Sequence, residues 1–271
     1  SIDADHLDIY GTHDEVKNSF SEFTGRIMQG GTLLVKKGLS FDIQSAKGVK
    51  VHTYSLYGPA DFYAVNLKLI NGLYSFDLQI PGGKIENLKL GLPGLYNVEN
   101  AVAATALALL SGIDGVTIRK ALASFRGVKR RFDIRYRNSQ VVYIDDYAHH
   151  PEELRACITS ARELFKGRKL TGVFQPHLFT RTRDFANGFS ESLSLLDKLF
   201  LLDIYPAREK PIPGVDSELI LKNVTTNKTA CNKTNLLHLL GNEPIDVLLT
   251  MGAGDIDLFV KPIEEMFVKR F

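Results

Sequence analysis

The chain has 271 residues, with 33 Lys and Arg against 31 Asp and Glu and a formal net charge of +2. Such a length buries one large core or two ordinary ones, two being expected here, and so even a charge balance gives no basis for a nucleic-acid partner. Cys157 and Cys231 lie far apart without metal or C-x-x-C spacing, which argues against a disulfide framework or a zinc site; no apolar run approaches the roughly 18 residues of a membrane span, no secretion signal opens the chain, and a cytoplasmic location is expected.

The chain opens at Ser1 and runs at once into Asp3, Asp5, His6 and Asp8. Acidic and His segments of this density normally follow a strand, so the start reads as the middle of something longer. The side chains suit a divalent ion or a solvated acidic turn before a helix, and spacing alone favours the turn. Val16, Phe20, Phe23 and Ile27 form a helical stripe within residues 14–28, ended by Gly30 and Gly31, and residues 32–38 read as a strand. From about Ser40 to Leu90, short alternating runs separated by Gly, Pro and Asn predict a small, mostly antiparallel sheet. An Ala-rich helix follows from Asn97, with Val98, Ala101, Val102, Thr105 and Leu109 on its apolar face, and then a second helix over residues 117–125. The domain boundary is placed near Gly127, giving domains of residues 1–127 and 128–271.

Beyond it, strand and helix alternate. Residues 141–144 lead to a helix starting at Pro151, a residue favoured at the first helical position. Residues 170–174 lead to a helix from about Asp184, and residues 198–204 lead through a Pro-rich loop to a helix near residues 216–221. Three Asn-x-Thr triplets within residues 223–234 read as a surface loop rather than as glycosylation sites. Residues 246–251 form a last strand, followed by Gly252-Ala-Gly-Asp255 and a helix over 258–267. Right-handed crossovers of this kind predict an α/β fold with a doubly wound, mainly parallel sheet.

Four strand ends thereby carry polar residues to the carboxyl edge of that sheet, where ligand crevices form. Arg181, Arg183 and Arg208 offer anion binding; Asp145, Asp146, Tyr147, His149, His150 and His177 offer hydrogen bonding and proton transfer. Each alone has a structural reading: His150 as a helix cap, Arg183 and Asp184 as an exposed pair, Arg130 and Arg131 as a basic linker instead of a phosphate clamp. Gly252-Ala-Gly lacks the third glycine of a dinucleotide fingerprint and reads as a tight turn with close backbone approach, so no NAD site is expected.

Asp5-His6-Leu-Asp8, Tyr96-Asn97-Val-Glu-Asn100-Ala101, Gly127-Val-Lys-Arg-Arg131-Phe132, Asp145-Asp-Tyr-Ala-His-His-Pro151, Gln175-Pro-His-Leu-Phe-Thr-Arg-Thr-Arg-Asp184 and Tyr205-Pro-Ala-Arg-Glu-Lys-Pro-Ile-Pro-Gly214 occur in the order seen in the Mur ligases. The chain resembles that family over nearly its whole length, and its alanine-adding branch in particular. The resemblance implies the later part of a P-loop-type central domain, followed by a Rossmann-like C-terminal domain, with the UDP-binding domain and the P-loop itself lacking. It implies ATP-dependent joining of L-alanine to UDP-N-acetylmuramate through an acyl phosphate, in peptidoglycan precursor synthesis, with ATP and Mg²⁺ as cofactors.

Carried over by position, His6 matches a magnesium ligand, and Asn97 and Asn100 match an adenine-contacting segment. Arg130 and Arg131 match the linker that approaches the ATP phosphates, and Asp146 falls where the C-terminal domain meets the nucleotide. Tyr147, His149, Arg181 and Arg183 match the group around the incoming amino acid and the acyl phosphate. Many relatives have His where Tyr96 stands and Arg where Leu178 stands, which removes one anion contact. The chain by itself is expected to bind ATP weakly and to lack ligase activity. Competing readings are a ligase that recycles a whole tripeptide onto the same nucleotide sugar, a metal-dependent hydrolase built on His6, Asp145, Asp146, His149 and His150, and a non-catalytic binding domain.

Overall fold

The computed structural model describes residues 2–3 and 7–271. They fall into two compact units that divide between Arg126 and Gly127. The first unit holds α1 (Leu7–Tyr10), α2 (His13–Gly25), β1 (Thr32–Lys36), β2 (Lys50–Tyr57), β3 (Phe62–Ile70), β4 (Leu73–Ile80), β5 (Gly83–Lys89), α3 (Leu95–Leu110) and α4 (Gly115–Ser124). Helix α2 starts on a capping box, in which the Thr12 hydroxyl accepts from the Glu15 amide and the Glu15 carboxylate accepts from the Thr12 amide. Helix α3 buries Val98, Ala101, Val102 and Ala106 in one cluster with Phe76, Leu78, Leu88 and Leu90 of the sheet region.

The five strands lie in chain order. Antiparallel pairing, expected for most of this sheet, holds for the β3, β4, β5 meander, whereas β1, β2 and β3 pair in parallel. Alternating apolar residues report which face a strand buries, not the direction of its neighbour. What turns β3 parallel to β2 is a short return over residues 58–61, closed by Asp61. Its carboxylate accepts from the Thr53 amide at 2.7 Å and hydroxyl at 2.9 Å, and its own amide donates back to Thr53 Oγ1 at 3.1 Å.

Asp77 on β4 performs a second local fixation. Its carboxylate accepts from the Asn87 amide and from Asn66 Nδ2, both at 2.8 Å, where both neighbours carry a left-handed residue, Asn87 (φ 57°) and Asn66 (φ 53°), beside a register shift. These donors, the Asn87 amide foremost, hold the Asp77 carboxyl below the usual carboxylate range. Asp77→Ala is expected to lower the unfolding free energy of the chain by about 1–3 kcal/mol in urea denaturation. With the folded pKa depressed, the Asp77 contribution is fully present above about pH 4 and fades as pH falls below it, so the gap between the parent and the variant closes in acid.

The second unit holds β6 (Asp133–Arg137), β7 (Val142–Asp146), α5 (Pro151–Leu164), β8 (Leu170–Phe174), α6 (Phe179–Leu193), β9 (Lys198–Leu201), α7 (Glu218–Leu221), β10 (Asn227–Ala230), α8 (Leu236–Asn242), β11 (Val247–Met251), a 3-10 turn (Asp255–Phe259) and α9 (Val260–Arg270). The sheet order is β10, β9, β8, β11, β7, β6, parallel throughout except for β6. Strands β7, β8 and β11 are buried along their whole length, which is why they read as apolar runs. One face packs Tyr143, Val173, Phe200 and Leu248 with Leu236, Leu240, Ile263 and Phe267 of α8 and α9. On the other, Phe174 of β8 meets Phe189 of α6 at 5.4 Å between ring centroids.

Two expectations change here. The stretch read as a surface loop contains β10, a polar edge strand paired only with β9, whose sequence has no apolar face to betray it. Helix α6 starts at Phe179, not near Asp184, so Arg181 and Arg183 lie on helix rather than on the loop before it.

Candidate active site

At the carboxyl end of β7, Asp145 and Asp146 turn inward. Asp145 is 1% exposed; it accepts from Thr250 Oγ1 at 2.7 Å and pairs with Arg130 Nε at 3.0 Å, while Arg130 Nη2 donates to the Gly252 carbonyl at 2.6 Å. Burial pushes the Asp145 carboxyl up, against the pull of Thr250 and Arg130. Asp146 accepts from the amides of Phe132 (2.7 Å) and Ala148 (2.8 Å). Arg130 holds a left-handed backbone (φ 61°), its carbonyl accepts from the Tyr147 amide at 2.8 Å, and its guanidinium lies 5.1 Å from the Tyr147 ring centroid. Arg131 is half exposed, over the same ring at 5.9 Å. Of the two linker arginines, Arg130 is bound into the loop and Arg131 faces solvent.

Tyr147 is the residue this loop displays, with the partly buried His149 beside it. Tyr147 is exposed and meets the His149 ring edge-on at 5.2 Å. His149 Nδ1 lies 2.9 Å from the Tyr147 carbonyl. A carbonyl only accepts, so the contact places a proton on Nδ1 and leaves Nε2 as the ring's lone-pair nitrogen when the ring is neutral. The Glu153 carboxylate accepts from the His149 amide at 3.0 Å and the His150 amide at 3.2 Å, capping α5 behind Pro151. The His150 ring is buried against Phe185, 4.9 Å between centroids.

The end of β8 supplies the cationic side. His177 stacks on Tyr205 at 5.7 Å and stands 6.1 Å from the His149 ring, and its Nδ1 is buried without a hydrogen-bond partner. Burial lowers the His177 pKa to about 4, assisted by Arg181, His149 and Arg208. Arg181 is buried at 6% exposure, whereas Arg183 is half exposed and bound to Asp184 at 2.7 Å. The two arginines expected to act together are thus separated: Arg181 sits with His177, and Arg183 forms the exposed pair. Leu178 lies at φ 70° with its side chain buried.

Between β8 and β11 the crevice is filled from within. Gln175, fully buried, donates to Asp255 at 2.8 Å and accepts from the Ile256 amide at 2.9 Å. A Cβ at Gly254 would stand 2.5 Å from Gln175 Oε1 and 2.7 Å from Tyr205 Cβ, and Gly252 has φ 143° with the Gln175 carbonyl 2.8 Å from a Cβ built there. These glycines serve the tight turn and close approach expected of them.

The structure therefore gathers Tyr147, His149, His177, Arg181 and Tyr205 on one edge. Tyr205 escaped the sequence reading as a site residue although its motif was noted, and His177 was named only for its chemistry. In the first unit, Asn97 is buried and its Nδ2 donates to the Pro93 carbonyl at 2.7 Å, while Asn100 is exposed. His6 lies outside the described residues. Among the described residues, no three His, Cys, Asp or Glu side chains converge on a point that suits a metal ion, and no helix is long and apolar enough to cross a membrane.

A Mur ligase middle domain matches residues 1–108, and a Mur ligase glutamate ligase domain matches residues 130–254. The chain belongs to the Mur ligase family. It is 51% identical over its full length to the UDP-N-acetylmuramate–L-alanine ligase of Parabacteroides distasonis, covering 59% of that protein. Among solved structures it is similar to the UDP-N-acetylmuramate-alanine ligase MurC of Thermotoga maritima, with TM-score 0.76 and 26% identity over 98% of this chain and 58% of that one. The MurF ligase of the same organism, solved in complex with ADP, shares the fold at TM-score 0.73 and 17% identity, over all of this chain and 61% of that one. The chain thus spans about three-fifths of the relatives it matches.

A ring with a pKa near 4 stays neutral at physiological pH, and an NMR titration of the His177 ring should find its midpoint there. Because the unfolded value is about 6.5, the unfolded chain binds the extra proton first, and stability falls as pH drops from about 6.5 towards 4. Arg181→Ala, which removes a neighbouring cation, should move the His177 midpoint upward.

Proposed function

We propose that this chain is part of an ATP-dependent, amide-forming ligase that adds L-alanine to UDP-N-acetylmuramate in peptidoglycan precursor synthesis. The observation that carries the reading is the pairing of a buried guanidinium, Arg181, with a neutral imidazole, His177, beside Tyr147 and His149, on a chain half identical to alanine-adding ligases. An amino acid presents a carboxylate and an amine. Arg181 suits the first as a charged, directional donor, and an uncharged His177 stands beside it without repelling the ammonium.

In this reading the muramoyl carboxylate attacks the γ-phosphate of ATP to give an acyl phosphate and ADP. The amine of L-alanine then attacks the acyl carbon, the C–O bond to phosphate breaks, and phosphate departs. The attacking amine must shed a proton, and His149 Nε2, the lone-pair nitrogen left by the Nδ1 contact, is the base assigned to it. Mg²⁺, when bound, supplies charge neutralisation at the transferring phosphoryl group; His6 is the residue of this chain assigned to it by position. On the first unit Asn97 and Asn100 are assigned to adenine. On the second, Arg131 is the linker cation with solvent access, and Arg130 and Asp146 act by holding the loop that carries Tyr147 and His149. A hydrolase would need the β7 carboxylates turned towards substrate, and Asp145 spends its oxygens on Thr250 and Arg130 instead.

The test is phosphate release by the full-length protein with ATP, Mg²⁺ and UDP-N-acetylmuramate, offered L-alanine or the cell-wall tripeptide. Release that depends on L-alanine is expected; preference for the tripeptide would assign the chain to the recycling ligases. Arg181→Ala should raise the KM for L-alanine by roughly 30-fold or more, as expected for loss of a charged hydrogen-bond donor, with the KM for ATP little changed.

A further inference from the structure

We propose that Glu209, in the loop after β9, is a positioning residue of the amino-acid site: it caps the first turn of α6 with both carboxylate oxygens and thereby sets Arg181. The inference rests on the proposed assignment of Arg181 to the incoming amino acid and adds the device that holds it there.

The first turn of α6 cannot hold itself. Its N-cap, Leu178, offers no side-chain acceptor and has a left-handed backbone at φ 70°, a conformation that costs a non-glycine residue about 1–2 kcal/mol. Seven residues further on, Phe185 breaks helical geometry at φ −117°, ψ 16°, so residues 179–184 gain little from the longer helix behind them. A segment this short does not persist without outside partners. Glu209 supplies them: Oε2 accepts from the Thr180 amide at 3.0 Å and Oε1 from the Thr180 hydroxyl. A carboxylate at a helix N-terminus meets both free amides and the positive end of the dipole.

The same loop grips the chain just upstream. Tyr205 accepts from the Leu178 amide at 2.9 Å, donates its own amide to the Pro176 carbonyl at 2.8 Å, and stacks under His177. Residues 205–209 thus fasten residues 176–180, and Arg181 is the next residue along. Glu209 would be an unwelcome anion beside a carboxylate site were its oxygens not engaged, and Thr180 engages both.

The experiment uses the full-length protein, with KM and kcat measured separately for L-alanine and ATP in the parent, E209A, E209Q, T180V and E209A/T180V, alongside melting temperatures. E209A is expected to raise the KM for L-alanine roughly tenfold, as for loss of a helix cap, with the KM for ATP within about twofold. T180V should move in the same direction by less, and combining it with E209A should add nothing further, since both remove one clasp. E209Q, which keeps one acceptor, should fall between parent and E209A and carries the test should E209A fail to fold. An unchanged KM for L-alanine in E209Q and T180V, or a fall in kcat that merely follows a lowered melting temperature, overturns the proposal. A parent enzyme that releases no phosphate with L-alanine overturns the substrate assignment instead, and the two failures are told apart by that control.

Discussion

The carboxyl edge of the second sheet depends on one ion pair, Arg130 with Asp145. Arg130 reaches from the linker to a carboxylate on β7 and, 122 residues along the chain, to the Gly252 carbonyl after β11. Both partners are largely withdrawn from water, where removing one charge of a pair strands the other at a cost of about 3–5 kcal/mol. The pair is supported by the Thr250 hydroxyl, which satisfies the second Asp145 oxygen and in turn lies 3.0 Å from the buried Tyr143 hydroxyl. Burial alone would push Asp145 towards its neutral form, and the cation beside it opposes that shift. Because the Arg130 carbonyl also receives the Tyr147 amide, the geometry of the displayed loop follows from the pair.

The edge therefore sorts its charges by depth. The β7 carboxylates go inward, where amides, a hydroxyl and a guanidinium meet their oxygens, and the Tyr147 ring goes outward. At the end of β8 the opposite choice is made for the cation, since Arg181 is buried beside an imidazole that burial keeps neutral. Two charged rings and a guanidinium at this spacing would repel one another. Leaving His177 uncharged removes that conflict without surrendering its hydrogen-bonding nitrogen.

Much of this was legible in the residues. Strands β7, β8 and β11 announced themselves as apolar runs because neighbours cover both faces, and Pro151 marked the start of α5. What failed were features decided by partners distant in the chain. Two of these are β10, which exists only because β9 lends it backbone partners, and the early start of α6, which depends on Glu209; the parallel pairing of β2 with β3 escaped for another reason, since it turns on a local clasp between Thr53 and Asp61 that apolar alternation does not report. The equal weight given to Arg181 and Arg183 has the same origin as the missed start of α6. Residues two apart on a helix point to nearly opposite sides, so one is buried beside His177 and the other faces solvent, which is legible only once the helix is known to include both.

The ends of the second sheet carry a further consequence, for the solution behaviour of the molecule. An open sheet has two borders whose unpaired amides and carbonyls invite a strand from another chain. Here one border is β10, only four residues long and built of Asn, Lys, Thr and Ala, with the Lys228 amine drawn back onto the Leu221 and Val224 carbonyls at 2.7 Å. The other is β6, which runs against its neighbour and bears Asp133, Arg135 and Arg137 in place of an apolar ribbon. Neither border offers a long, flat, greasy template, so the second sheet is closed off laterally by short and charged strands. Polar sequence that looked like mere loop is, in this light, the second sheet's insulation against fibrous self-pairing.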